Sequence, residues 1–155
     1  MLVVSDTSPF SSLLLIGQAD WLPQIFGDVV VPEAVRDELS VTFAHLPAWL
    51  QVDRRFCEVP AEAVSANLDR GESEAIALAL DIHADDLLMD ERKGRQVARA
   101  LGLHVTGLLG ILVLAKQGGL IAAVKPWIER LQQDAHCWFD ANLIHEVLRS
   151  VGERP

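Results

Sequence analysis

Four short apolar stretches punctuate the chain: Leu2-Val3-Val4, Val29-Val30-Val31, Leu87-Leu88-Met89 and Leu103 to Thr106. None shows the polar alternation of a sheet with one wet face, so each predicts a strand covered on both sides, as in a parallel sheet between helices. Between them the apolar residues recur at helical spacing. Phe10 to Ile16 predicts a helix stopped by Gly17, and Trp21, Leu22, Ile25 and Phe26 mark a second short one. Pro32 to Leu39 predicts a third, with Pro32 at the first helical position, where its missing N–H does no harm. Ala75 to Leu80 has almost no polar face and predicts a buried helix; Glu91 to Arg99 turns Val97, Ala98 and Leu101 inward. Gly107 to Leu112 opens an apolar helix that ends near Gly118-Gly119. Two amphipathic helices close the chain, one on Ile121, Val124, Ile128 and Leu131, the other on Leu143, Ile144, Val147, Leu148 and Val151 with Asp140 as cap. Val41 to Leu68 has no sustained period; Phe56-Cys57-Glu58-Val59 is its candidate edge strand. Strand-helix alternation over 1–155 predicts a single α/β domain, a three-layer α/β/α sandwich with a mainly parallel central sheet.

Two of the strands run directly into an aspartate. Asp6 follows Leu2 to Ser5 and Asp90 follows Leu87 to Met89, and the carboxyl edge of an open α/β sheet is where ligands bind. Read alone, Asp6 is equally a helix cap. Glu38 shares a helix face with Ala34 and Val35 and points to the body of the protein, although by itself it reads as an ordinary surface acid. Glu72 and Glu74 stand in the first turn of the buried helix, where they suit the helix dipole; burying that helix also drives at least one carboxylate toward the interior. Four carboxylates converging in this way stay ionised only if cations neutralise them. Oxygen ligands select hard ions such as Mg²⁺ or Mn²⁺, which activate water and stabilise the charge that builds up in phosphodiester cleavage.

The formal net charge of −9 argues against a large basic surface for duplex DNA. The basic residues nevertheless cluster beside Asp90: Arg92, Lys93, Arg95 and Arg99, with Arg92, Arg95 and Arg99 on one outer line of their helix. This is either a solvated face or a track for a nucleic-acid backbone. Trp127 and Trp138 are expected in the core, not as base-stacking platforms. The five histidines form no ligand spacing, and Cys57 and Cys137 match no metal or redox motif, which fits a reduced, cytoplasmic protein. No apolar run reaches the roughly 20 residues that span a bilayer, so no membrane association is expected.

Taken together, Val4-Ser5-Asp6-Thr7-Ser8, Val31 to Leu39, Gly71-Glu72-Ser73-Glu74 with its apolar continuation, Leu88-Met89-Asp90-Glu91 and Gly107 to Leu112 resemble the PIN domain nucleases. Within that family they are similar to the toxin branch of virulence-associated protein C. The resemblance implies a Mg²⁺- or Mn²⁺-dependent endoribonuclease, the toxin of a two-gene pair, dimeric and inhibited by a small antitoxin. It assigns Asp6, Glu38, Glu74 and Asp90 as the metal-binding and catalytic acids, with Thr7 or Ser8 as a nearby hydroxyl. Two departures stand out. The third acid is usually aspartate, whereas Glu72 and Glu74 both offer themselves here; and Leu88 stands where the family often has a hydroxyl, two residues before the fourth acid. The alternative is an inactive PIN-like module kept for protein binding. A phospho-accepting receiver domain is disfavoured, since the strand ending at Thr106 runs into Gly107 and not into a lysine. The surplus of apolar helices, Phe10 to Trp21 and the terminal pair, leads to the expectation of a homodimer.

Overall fold

A computed structural model describes all 155 residues, Met1–Pro155. Five parallel strands, β1 (Leu2–Ser5), β2 (Asp28–Pro32), β3 (Gln51–Asp53), β4 (Asp86–Leu88) and β5 (Val105–Thr106), form one sheet in the order β3-β2-β1-β4-β5. The chain steps outward from β1 to β3, crosses back over β1 and continues outward through β4 to β5. The direction therefore reverses between β1 and β4, whose Val4 and Leu87 are paired. Asp6 and Asp90 follow these two strands, at the place where an open α/β sheet leaves a crevice.

Nine helices cover the sheet: α1 (Thr7–Leu15), α2 (Trp21–Phe26), α3 (Glu33–Thr42), α4 (Ala61–Ser65), α5 (Arg70–Asp81), α6 (Arg92–Ala100), α7 (Leu108–Gln117), α8 (Lys125–Asp134) and α9 (Ala141–Ser150). Alternate strand residues sort into two cores. Val3, Val29, Val31 and Leu88 pack with Phe10, Leu13, Leu22 and Ile111 on one face. Val4, Val30, Leu87 and Met89 pack with Ala75, Ile76, Leu78, Ala79 and Ala98 on the other. The period of two in the strands is what makes both faces apolar. Each fully buried Leu, Ile or Phe of this kind contributes about 1.5–3 kcal/mol. Ala75 and Ala79, both wholly buried, let α5 lie close to the sheet and bring its first turn to the crevice. No helix is long and apolar enough to cross a membrane.

Several local expectations are corrected. Pro32 ends β2 and sits at the N-cap of α3, one position before the helix begins, because its carbonyl side still belongs to the ladder with Asp53. The edge strand is Gln51–Asp53 and not Phe56 to Val59; Val52 and Leu50 pack on the first core, whereas Phe56 is 93% exposed and has nothing to hold it in a sheet. β4 ends at Leu88, so Asp90 lies two residues past the strand, and β5 is shortened to Val105–Thr106. Phe10, Leu13 and Trp21, whose apolar bulk suggested a dimer contact, are buried within the chain.

Candidate functional site

Asp6 is placed by the strand that precedes it. Its N–H continues the β1–β4 ladder by donating to Leu88 O at 2.9 Å, and its side chain is only 4% exposed. It occupies the N-cap position of α1 without the side-chain capping bond that the alternative reading required. Burial pushes the carboxyl up to about 7; the Thr7 N–H works against this, while Asp69, Glu38 and Asp90 add to it by repulsion. Glu38 and Asp90, two of the expected acids, therefore act on Asp6, a third, and Asp69, which sequence reasoning missed, joins them.

Glu38 comes from α3 and is exposed at its carboxylate, where Thr7 Oγ1 donates to Oε2 at 2.6 Å. That bond engages the Thr7 hydroxyl with an acid, whereas Ser8 is exposed on the groove beyond it. From α5 come two acids of different fate. Glu72 is 9% exposed, and its Oε2 is buried without a hydrogen-bond partner. Burial, a side-chain hydrogen bond with Asp69 and the charges of Asp69, Asp6 and Glu91 raise its pKa well above the ordinary glutamate value. Glu74, two residues on, turns away and accepts from Arg70 Nε at 2.7 Å. It is absent from the charges that act on Asp6. Asp69 caps α5 by accepting from Glu72 N at 2.8 Å. The Asp69-x-x-Glu72 spacing was a legible capping box, and that was the available signal for its place beside Glu72.

Asp90 accepts from Leu108 N, the first amide of α7, at 2.8 Å. Burial raises its pKa, against the lowering effects of that amide and of Arg95. Arg95 is a second correction: it does not share the outer line of Arg92 and Arg99 but is half-buried beside Asp90, and its Nε is buried without a partner. Burial and the charge of Arg99 lower the pKa of its guanidinium, partly offset by Asp90. A groove of about 1100 Å³ opens here, lined by Ser8, Asp90, Glu91, Arg92, Arg95, Arg99 and Trp138 among others. Lys93 is exposed and does not line it. The expectation for Trp127 holds, since it packs edge-to-face on Trp21 at 4.8 Å. That for Trp138 does not: it is 83% exposed.

Three glycines make room for three of these acids. A Cβ at Gly71 would overlap the Glu38 carboxylate, one at Gly94 would lie 2.7 Å from Glu72 Oε2, and one at Gly107 would lie 2.9 Å from Asp90 Oδ1. Helices carrying ordinary side chains at these positions would force the carboxylates apart. The donors are all oxygens, and an orphaned, buried carboxylate oxygen together with two acids of raised pKa is the environment a hard divalent cation relieves. The residues thus fit Mg²⁺ or Mn²⁺ in kind, Asp6, Glu72 and Asp90 foremost and Glu38 and Asp69 around them. As the side chains stand, no three of them draw together tightly enough to hold an ion.

Comparison with family models matches residues 2–153 to a family described as PIN domain. No curated protein and no solved structure matches the chain.

Proposed function

Because the chain belongs to the PIN domain family, with the nuclease-type function this entails, we propose that it is a Mg²⁺- or Mn²⁺-dependent endoribonuclease that hydrolyses RNA phosphodiester bonds at the β1–β4 crevice. The observation that carries the proposal is the meeting of Asp6, Glu38, Asp69, Glu72 and Asp90 around one buried carboxyl group. Asp6, Glu72 and Asp90 are the residues that would hold the cation. A bound divalent ion supplies a polarised water and neutralises charge on the scissile phosphate. Glu38, kept in place by the Thr7 hydroxyl, is positioned to orient water or accept a proton at Oε1. Arg95 lines the groove and brings a positive charge next to Asp90, where it can attract a phosphate. The α7 amide at Leu108 fixes Asp90.

The motif order supports a role as the toxin of a toxin-antitoxin pair, held inactive by a small antitoxin over the same crevice. A homodimer is part of that proposal; Leu15 of α1 and Leu143 of α9, both exposed, are the apolar side chains those helices offer to it.

Cleavage of an unstructured RNA, with and without Mn²⁺, tests the reaction. Asp6→Asn and Asp90→Asn should each reduce the rate more than about 100-fold, as loss of a direct ligand exceeds the 10–100-fold cost typical of outer contacts. Glu72→Gln should follow them and Glu74→Gln should retain activity. Metal-independent cleavage, or a loss confined to Glu74→Gln, would overturn this site; no cleavage under any metal would leave the protein-binding module.

A further inference from the structure

The segment from Ala135 to Asp140 lines the groove and has both ends fastened. At its start, Cys137 N donates to Leu131 O at 3.1 Å, a turn made possible by His136 in the left-handed conformation (φ 54°). At its end, Asp140 accepts from Asn142 N and Leu143 N and caps α9. Between these anchors the residues alternate. Ala135, Cys137 and Phe139 pack on the core, and Cys137 Sγ also lies 3.4 Å from Ser12 Oγ. The intervening Trp138 is turned out, 83% exposed, with its neighbours on both sides holding the backbone in place.

The same groove is lined by Arg92, Arg95 and Arg99, none of which forms a salt bridge. Of the three acids along the groove, Asp90 is engaged by Leu108 N and Asp140 by α9, and Glu91 is exposed to solvent. One groove thus brings together Asp90 of the carboxylate site, three guanidinium groups without salt bridges and one exposed indole on an anchored backbone. Positive charge answers a phosphate backbone, and a rigid aromatic ring answers the face of an unstacked base.

We propose that Trp138 is a stacking platform for an unpaired base of the RNA strand, and that Arg92, Arg95 and Arg99 contact the phosphates leading from that base toward Asp90. The inference presupposes the nuclease reading of the crevice and adds residues that contact the substrate. A base paired and stacked within a helix cannot present its face to the ring; an unpaired base presents it without cost.

The test uses a ten-nucleotide single-stranded polyadenylate RNA labelled with fluorescein, and a duplex of the same length, in EDTA for binding and in Mn²⁺ for cleavage. Single-stranded RNA should quench the tryptophan emission of the parent. Trp138→Phe should bind within about threefold of the parent and lose most of that quenching. Trp138→Ala should bind single-stranded RNA about 5- to 100-fold more weakly, with a matching rise in KM and little change in kcat, while duplex binding stays unchanged. All forms should melt within about 2 °C of one another, since the ring is exposed. If the parent cleaves RNA and Trp138→Ala keeps the parental affinity and KM, the stacking inference falls, the nuclease reading stands, and the exposed ring belongs to a protein-binding surface. If the parent neither binds nor cleaves RNA, both readings fall.

Discussion

Two buried aspartates at opposite ends of the same sheet show what distinguishes structural from functional burial. Asp86, at the start of β4, and Asp6, just past the end of β1, are each 4% exposed. Asp86 accepts from Leu87 N at 2.9 Å and from Thr106 Oγ1 at 2.6 Å, and lies 3.0 Å from His104 Nδ1. Its oxygens meet donors from its own strand, from β5 and from His104 shortly before β5. Asp6 meets other acids instead, and burial with repulsion pushes its carboxyl up to about 7. A fold that only needed a buried polar residue would surround it with donors, as at Asp86. The arrangement at Asp6 costs stability, and the cation proposed for this crevice would relieve that cost.

The strongest test of this contrast is pH-dependent stability without divalent metal. Asp6 is protonated in the folded state up to about 7 but ionises near 3.8 when unfolded, so the parent loses stability as pH rises between those values. Asp6→Asn removes the penalty. Its unfolding free energy should match the parent's near pH 4 and exceed it by up to about 4 kcal/mol at pH 8. Urea titrations at the two pH values measure this; parallel curves for parent and variant would refute the raised carboxyl.

At the other end the sign reverses. Asp86→Ala leaves the buried Thr106 hydroxyl without its acceptor, while Leu87 N keeps its ladder bond to His104 O, and should destabilise the protein by about 1–3 kcal/mol, with metal-dependent cleavage retained once the protein is folded. A change below about 0.5 kcal/mol would mean that water replaces the carboxylate and that Asp86 is not the structural counterpart of Asp6.

The smallest expected effect sharpens the comparison along the groove. Removing one side chain that neutralises a phosphate of a single strand flattens the salt dependence of binding by about 0.7 in logarithmic slope. Arg92→Ala and Arg99→Ala should each do so, and Lys93→Ala, one residue away but off the groove, should not. Equal slopes for all three would return the arginines to a merely solvated face.

The apolar patterning alone determined much of this protein. Both-face burial of the strands, the strand-helix order and the position of Asp6 and Asp90 near the carboxyl edge follow from short-range regularities, because a period of two or of 3.6 is written locally in the chain. The PIN-like order of motifs was equally readable. What the local pattern left open was rotation and partnership. Glu72 and Glu74 are about 200° apart around α5. Ala75 to Leu80 is apolar on nearly every side, so no polar face sets the helix phase; packing on β1, β2 and β4 does, and it turns Glu72 inward and Glu74 to Arg70. Arg95 was misplaced for the same reason, since Gly94 and Ala98 bring that side of α6 inward. Asp69 was visible only as a cap, and its nearness to Asp6, far earlier in the chain, exists only once the sheet has formed. Trp138 looked like core because tryptophan usually is. Its exposure was decided by where α8 ends and by the anchoring of Cys137 and Phe139, long-range packing that no window of neighbouring residues contains.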